Sequence, residues 1–328
     1  MNKITKRGWI ELGASLGIFI VLAVIAAFYD LKINQALYNP DSLFGQYFAN
    51  LGELPSYLAA PLCGTIFFYQ GFGRTKAQRI LYCVACAGIV FVGYFFAIGH
   101  WFWDNFVNES LQYKLVYILV FTLFMTALTL FAGYKIDKKV MRKLLWFALF
   151  AAVVIALSNI IVQIMKIIWA RQRFRTMVDI EKNAALIAEF GGDFRGFTPW
   201  YIPNAIIKNP IRTDAYVEAH KLVDSDTFKS FPSGHTVAAA ASFAAIILPD
   251  MYPKFKKATW AFWVVPAVYT TLVAISRIVM GAHYLSDVLF GGFIGFGVAA
   301  LIRWIFLSKI KYFQQQPTEE PKIIVLSE

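Results

Sequence analysis

The sequence predicts an all-α integral membrane protein with about eight transmembrane helices and one long connection between the fifth and the sixth. Three observations predict it. Hydrophobic residues make up 59% of the 328 residues and charged residues only 16%, against about 25% in an ordinary soluble domain. The apolar residues gather in stretches of about 20, the length of a helix that crosses a bilayer. The basic residues behind the net charge of +11 lie between these stretches.

Eight apolar stretches are long enough to be spans. They run approximately over residues 9–29, 55–72, 80–102, 114–134, 144–168, 233–249, 258–279 and 286–307. The first has a basic flank like a signal peptide, but its apolar run is too long for one, so we expect an uncleaved helix. The second contains Pro61, and a re-entrant segment is its alternative. The glycines of the last stretch predict close helix contacts; they are Gly291, Gly292, Gly295 and Gly297.

The distribution of Lys and Arg predicts the orientation. Basic residues precede the first stretch and follow the second, fourth, sixth and eighth, whereas the intervening short connections hold little positive charge. Cytoplasmic connections collect Lys and Arg, so both termini are expected in the cytoplasm. We therefore expect a multi-pass protein of a bacterial cell membrane, with the membrane and not nucleic acid as the partner of its positive charge.

The long connection, residues 169–230, is expected on the outer side. Its aromatic and aliphatic residues predict a folded cap or lid, or alternatively a loop lying on the lipid headgroups. The glycine-rich run 191–196 lacks the Lys-Ser/Thr of a phosphate loop and indicates only a turn. The three cysteines, Cys63, Cys83 and Cys86, lie in apolar runs, which favours helix packing over redox or metal binding.

The first polar cluster lies at the outer end of the fifth span. Lys166 is followed seven residues later by Arg173, close to two helical turns, so a continuing helix would place both cations on one face. Asn159 and Gln163 precede them on that face. The alternative is that Lys166 extends to the interface, as basic residues near helix ends commonly do.

The second cluster is Phe-Pro-Ser-Gly-His-Thr, residues 231–236, at the start of the sixth span. Free backbone N–H groups at a helix start, together with the helix dipole, form an anion site. Ser233, Gly234 and His235 would direct donors at a bound anion. The alternative is an ordinary helix N-cap beside a histidine.

The third cluster joins the last two spans. Ser276 and Arg277 are followed by His283, and Asp287 comes four residues later. A carboxylate four residues on shares a helix face with the histidine and can orient one ring nitrogen, which could make His283 a nucleophile. Asp287 could equally be favoured in the first turn of the last helix by the helix dipole.

By the predicted orientation all three clusters lie on the outer side of the membrane. Their three cations, two histidines, helix N–H donors and one carboxylate suit a phosphate dianion, whose transferring group gathers negative charge. No set of His, Cys or acidic residues has metal-ligand spacing, so neither a metal nor another cofactor is expected.

Lys166-x6-Arg173, Pro232-Ser233-Gly234-His235 and Ser276-Arg277-x5-His283-x3-Asp287 resemble the three-part signature of the type 2 phosphatidic acid phosphatase superfamily. The resemblance covers the fifth to the eighth span and implies a six-helix phosphatase core. We accordingly expect two additional N-terminal helices in 1–78, the core in 79–310 and a polar cytoplasmic tail in 311–328.

The resemblance also implies a mechanism, namely metal-independent hydrolysis of a phosphate ester through a phosphohistidine. His283 would attack phosphorus, Asp287 would orient it, and His235 would protonate the leaving oxygen and then activate water. The phosphoryl oxygens would be held by Lys166, Arg173, Ser233, Gly234 and Arg277. The family commonly has proline after the first-motif arginine, where this chain has Phe174.

The position of the motifs at span ends favours a phosphorylated membrane lipid as substrate, such as undecaprenyl pyrophosphate, phosphatidylglycerol phosphate or phosphatidate. A phosphotransferase that passes the phosphoryl group to another acceptor is one alternative. An anion or lipid transporter that only binds in the cationic pocket is another. A soluble haloperoxidase-like oxidase shares the motif pattern, but eight spans count against it. The sequence does not indicate an oligomeric state.

Overall fold

A computed structural model describes residues 6–72, 75–105, 110–182, 197–204 and 227–314. Every regular element in these residues is a helix, so the all-α prediction is confirmed. Within these residues, seven helices are long and apolar enough to cross a membrane, in agreement with an integral membrane protein. Large apolar side chains on the outer helices, such as Phe28, Leu81 and Phe124, are exposed as contact with lipid requires.

The described residues form twelve α-helices. They are α1 (Lys6–Leu37), α2 (Leu43–Leu51), α3 (Leu54–Phe68), α4 (Lys76–Asn105), α5 (Leu111–Lys135), α6 (Lys138–Trp169), α7 (Phe174–Glu181), α8 (Gly234–Ala240), α9 (Leu248–Met251), α10 (Ala261–Val279), α11 (Leu285–Lys309) and α12 (Lys311–Gln314). A 3₁₀ segment, Ala241–Ile247, joins α8 to α9, so the predicted sixth span is a composite helix. A second 3₁₀ segment, Pro253–Ala258, precedes α10.

The predicted second span corresponds to α3, which is shorter than a full span. Its 15 residues rise about 22 Å, against about 30 Å for a hydrocarbon core. The residues at its ends nevertheless reach opposite ends of α6. Glu53, just before α3, contacts His235, and the neighbouring Gly234 lies beside Lys166 near the end of α6. Gln70, just after α3, donates to the carbonyl of Met141 near the start of α6 at 2.9 Å. α3 therefore runs along the bundle rather than turning back as a re-entrant segment would.

The apolar core lies where α6, the composite sixth helix and α11 meet. Its fully buried members include Phe150, Val154, Ala240, Ile247 and Ala299.

Glycines of α11 allow the close contacts of this core. A Cβ added to Gly295 would lie 2.4 Å from Ala240, and one added to Gly291 would lie 2.6 Å from the Ser233 carbonyl oxygen. The predicted close contacts are therefore confirmed at these two glycines. Gly292 makes only ordinary contact, and the prediction is wrong for Gly297, which has nothing within 4 Å of an added Cβ.

The N-terminal helices pack against the helices that carry the motifs. α1 contacts α10 and α11, where Phe19 stacks on Phe293 with ring centroids 4.2 Å apart. α3 packs on α6, while α4 and α5 pack on α3 and on each other. The division into an addition at 1–78 and a core at 79–310 stays a prediction, and the packing of α1 ties that addition closely to the motif helices.

The connection 169–230 is only partly described. It contributes α7 and the segments 197–204 and 227–230, whereas 183–196, with the glycine-rich run, and 205–226 lie outside the described residues. Trp200 packs on α1 and α11, because its indole N–H donates to the Ala23 carbonyl at 3.2 Å and its ring lies 4.9 Å from that of Phe290. The choice between a cap and a headgroup loop stays a prediction. Of the predicted tail, 315–328 is likewise outside the described residues.

Candidate active site

The three motifs meet at the α6 end that holds Lys166. The Ser233 N–H donates to the Asp287 carbonyl at 2.9 Å, which joins the second motif to the third. The Lys166 Nζ lies 3.1 Å from the position of a Cβ on Gly234, so a side chain there would displace the amine. Arg173, Arg277 and Lys166 all lie near enough to His283 to act on it electrostatically. All eight predicted site residues thus belong to one cluster; they are Lys166, Arg173, Ser233, Gly234, His235, Arg277, His283 and Asp287.

The first motif is not one continuous helix. α6 ends at Trp169 and Ala170 adopts a left-handed conformation with φ of 40°, so the helical spacing invoked for Lys166 and Arg173 is wrong. Arg173 instead caps α7 in an extended conformation, and its N–H donates to the Thr227 carbonyl at 3.0 Å. Phe174 is the first residue of α7, a position that proline also favours. The departure from the family pattern therefore falls where either residue fits.

The second motif opens α8 as predicted from its residue types. Ser233 is the N-cap, and its hydroxyl oxygen accepts from the Thr236 N–H at 3.3 Å and from the Thr236 hydroxyl at 2.9 Å. The capping role and a site at the helix start are therefore compatible, because the cap uses the hydroxyl while the first N–H groups of α8 face outward along its axis.

His283 lies in the turn between α10 and α11 and is 1% exposed. Its Nδ1 is 2.6 Å from the Ser230 carbonyl oxygen. A carbonyl only accepts hydrogen bonds, so Nδ1 carries the proton and Nε2 keeps its lone pair. The Asn34 side chain of α1 donates to the His283 carbonyl at 3.0 Å and holds the turn from the other side. This imidazole is fixed in one tautomer.

Asp287 lies beside His283, but its closest partners are other groups. Its Oδ2 is 3.7 Å from His283 Nδ1, while it accepts from the Tyr284 N–H at 2.8 Å and from the Ser230 hydroxyl. Ser230 therefore links the carboxylate to the histidine, with its hydroxyl on Asp287 and its carbonyl on His283.

A buried arginine, Arg171, also holds Asp287 in place. The Arg171 guanidinium donates to Asp287 at 2.6 Å and to Asp30 of α1 at 2.9 Å, and all three side chains are almost fully buried. It also lies 4.1 Å from the ring centroid of Tyr284. One cation between two carboxylates gives each buried charge a partner, which the cost of burying charge requires.

The surroundings of His283 favour its neutral form. Burial and the nearby Arg173, Arg277 and Lys166 charges lower the pKa of His283 well below its usual range, although the Ser230 carbonyl acts in the opposite direction. A neutral imidazole with a free Nε2 lone pair is the form that can act as a nucleophile.

His235 has a different partner. Its Nδ1 is 3.2 Å from Oε1 of Glu53, the residue that precedes α3, and its side chain is 20% exposed. The two histidines thus lie in one cationic site but are oriented by unlike groups.

Sequence reasoning missed several residues that support the site. Arg171 lies within the first motif but was taken only as part of the connection, and Ser230 directly precedes the second motif. Asp30 had a usable signal, since a carboxylate at the end of an apolar stretch calls for a reason. Asn34 and Glu53 had no signal, because their partners are far away in the chain.

The chain is similar to known proteins over the part that contains the three motifs. The PAP2 superfamily model matches residues 147–311, just over half of the chain, and the protein belongs to that superfamily. The chain is 36% identical over 97 residues to phosphatidylglycerophosphatase B of Bacillus subtilis, covering 29% of this chain and 47% of that protein. It is 38% identical over 66 residues to lipid A 1-phosphatases of Rhizobium etli and Rhizobium johnstonii, covering 20% of this chain and 24% and 22% of those proteins. The chain thus matches less than half the length of these curated relatives. No solved structure matches it.

Proposed function

We propose that the protein is a phosphatase that hydrolyses a phosphomonoester or pyrophosphate of a membrane lipid, without a metal, through a phosphohistidine. The observation that carries the proposal is the bond of His283 Nδ1 to the Ser230 carbonyl, which leaves Nε2 as a nucleophile inside a cationic cluster. Membership in the superfamily and the names of the relatives support it.

In the first step, the Nε2 lone pair of His283 forms a bond to phosphorus and the bond from phosphorus to the leaving oxygen breaks. His235 donates a proton to that oxygen, so the lipid leaves as a neutral alcohol, or as a monophosphate if the substrate is a pyrophosphate. The negative charge on the phosphoryl oxygens is stabilised by the positive side chains and helix N–H groups. These groups are the side chains of Lys166, Arg173 and Arg277 and the N–H groups of the Ser233–Gly234 turn.

In the second step, His235 accepts a proton from water as the water oxygen attacks phosphorus. The bond from phosphorus to Nε2 breaks, and inorganic phosphate leaves. The same imidazole serves as acid and then as base, which restores the enzyme. Asp287 and Arg171 keep the His283 turn in place throughout.

An apolar cavity beside the site supports a lipid substrate. It has a volume of about 430 Å³ and lies between α1, α8, α10 and α11. Thr236 lines it next to His235, Ile278 next to Arg277, and Val288 next to Asp287. A hydrocarbon chain in this cavity would leave its phosphate at the cationic cluster.

Two glycines of α11 offer a matched test of the chain site. Gly292 lines the cavity, where an added Cβ would make ordinary contact, whereas Gly297 has open space around it. We expect Gly292→Leu to lower kcat/KM about tenfold for long-chain lipid phosphates, because its side chain fills space that a few methylenes would occupy. Short-chain substrates and Gly297→Leu should be little affected. An equal loss for both chain lengths would contradict this placement.

The main test is phosphate release from a panel of purified lipid phosphates. The wild-type protein should release phosphate in EDTA, should be inhibited by vanadate, and should carry acid-labile phosphate after rapid quenching. His283→Ala should do none of this. Dependence on a metal would contradict the mechanism, and release that requires an organic acceptor would favour a phosphotransferase.

We further propose that the site faces the outer side of a bacterial cell membrane and that both termini are cytoplasmic. The support is the alternation of basic connections, including Lys138 at the start of α6 and Lys257 before α10. Cysteines introduced at the exposed Tyr201 and Lys257 test it. An impermeant maleimide should label the first in intact cells and the second only after permeabilisation, and the reverse pattern would overturn the orientation.

A further inference from the structure

Glu53 belongs to none of the three motifs and lies outside the residues that match the superfamily. It nevertheless contacts a site histidine, with Oε1 3.2 Å from His235 Nδ1. Its side chain is only 16% exposed. A carboxylate largely removed from water next to an imidazole acts more strongly on it than an exposed one does.

The carboxylate is held in place by its own surroundings. The Tyr57 hydroxyl donates to Glu53 Oε2 at 2.6 Å, and His100 Nε2 of α4 lies 3.6 Å from the same oxygen. Oε1 is thereby directed at His235 while Oε2 is occupied by tyrosine.

The backbone that carries Glu53 is also docked. The Tyr269 hydroxyl of α10 donates to the Leu51 carbonyl at 2.6 Å. A Cβ added to Gly52 would lie 2.9 Å from Val273, so the corner between α2 and α3 rests directly on α10. Because the corner and α10 are in direct contact, Glu53 has a fixed position relative to the site.

The other charged or titratable groups near His235 are Arg277, His283, Arg173 and His100. Glu53 is the carboxylate in direct contact with the ring. We infer that Glu53 is a positioning residue for His235. Its carboxylate accepts from the Nδ1–H of His235, directs Nε2 of that ring at the leaving oxygen and stabilises the imidazolium. This inference rests on the proposed function.

The proton balance assigns Glu53 no proton of its own. The proton that reaches the leaving oxygen comes from His235 Nε2, and the proton that water later gives up returns to the same atom. Nδ1 stays beside the Glu53 carboxylate through both steps, so the carboxylate affects only how readily His235 holds its proton.

The test is the pH dependence of kcat in Glu53→Gln. The amide keeps the shape and can still accept from Nδ1–H, but it removes the negative charge. His235 should then lose its proton at lower pH, so the alkaline limb should move about one pH unit towards acid. The rate on lipid phosphate should fall more than the rate on an aryl phosphate, whose leaving phenolate needs less protonation.

Asp250→Asn is the control, because it removes the charge of a carboxylate that pairs with Arg303 and not with His235, and its alkaline limb should stay at the wild-type pH. If Glu53→Gln does not fold, Tyr57→Phe still tests the idea, since removing this donor strengthens the carboxylate and should move the limb to higher pH. An active wild-type enzyme whose limb is unmoved in Glu53→Gln, or in Tyr57→Phe as its substitute, overturns the inference alone. A wild-type protein that releases no phosphate overturns the proposed function together with it.

Discussion

The two histidines of the site are held in opposite ways. His283 is 1% exposed and donates to a backbone carbonyl, whereas the His235 side chain is 20% exposed and contacts a carboxylate. A carbonyl fixes the tautomer without adding a full charge, while a carboxylate favours the protonated ring. The proposed nucleophile is thus enclosed with a fixed tautomer, whereas the proposed acid lies beside a carboxylate and exposes part of its side chain to solvent.

The most direct test of separate roles for the two histidines is to remove each of them. We expect His283→Ala to lower kcat at least about 1,000-fold on every substrate, since no other group forms the bond to phosphorus. His235→Ala should lower it comparably on lipid phosphates, but by less on an aryl phosphate that leaves without help. Initial rates of phosphate release measure both. Cys83→Ser is the control and should keep nearly full activity; equal losses for the two variants on the aryl phosphate would contradict separate roles.

A second large effect, on stability and on kcat, is expected at Asp30 of α1, which pairs with Arg171 beside the His283 turn. Asp30→Ala removes one partner of the buried Arg171 pair, in which both side chains are 1% exposed. Arg171 keeps its bond to Asp287, but Arg171 and the Ser286 N–H each lose an acceptor. Each buried donor left unpaired costs about 1–3 kcal/mol, and a shift of the His283 turn by about 1 Å would lower kcat about 100-fold. Thermal unfolding in detergent and kcat measure the two effects.

The control for Asp30 is Asp250→Ala, which breaks a pair with Arg303 whose side chains are 21% and 27% exposed. Pairs as open to solvent as this contribute about 1 kcal/mol or less. If both variants lower stability and kcat equally, the network through Arg171 has no special part in holding His283.

Asp287, a motif residue, was predicted from the sequence as part of the site, whereas Asp30, which supports the same site, was not. The motif residues were predictable because polar side chains at the ends of apolar stretches need a reason, and their order resembles a known signature. Lys166 and Arg173 both lie near His283, but the continuous helix expected between them is absent, since α6 ends before the left-handed Ala170. The alternation of basic connections predicts eight spans, whereas seven helices in the described residues are long enough to cross a membrane, because α3 is short.

The supporting residues could not be read in the same way. Arg171 and Asp30 are 141 positions apart, and Glu53 reaches His235 only because the corner between α2 and α3 docks on α10. Such pairings depend on how helices pack, and a single sequence carries no direct signal for them. The N-terminal helices carry no motif, yet Asp30, Asn34 and Glu53 contact the site from them.

A smaller effect is expected at Asn34, which supports His283 through its backbone. Asn34→Ala removes the donor to the buried His283 carbonyl and should cost about 1–3 kcal/mol of stability, with a severalfold loss of kcat. Asn159→Ala is matched to it, because its side chain donates only to the Ile155 carbonyl of its own helix at 2.9 Å. An equal loss of kcat in both variants would show that the bond to the His283 turn has no part in positioning it.

The smallest change is expected on mild acidification of the wild-type enzyme. The pKa of His283 is lowered, so its ring stays neutral at pH 6.5, and kcat at saturating substrate should not fall as the pH decreases from 7.5 to 6.5. The unfolded chain takes up its proton near pH 6.5, so the stability that this buried neutral histidine allows is lost as the pH falls below that value. An acid limb of kcat centred at pH 6.5 or above would contradict a lowered pKa of His283, and with it the proposed difference between the two histidines.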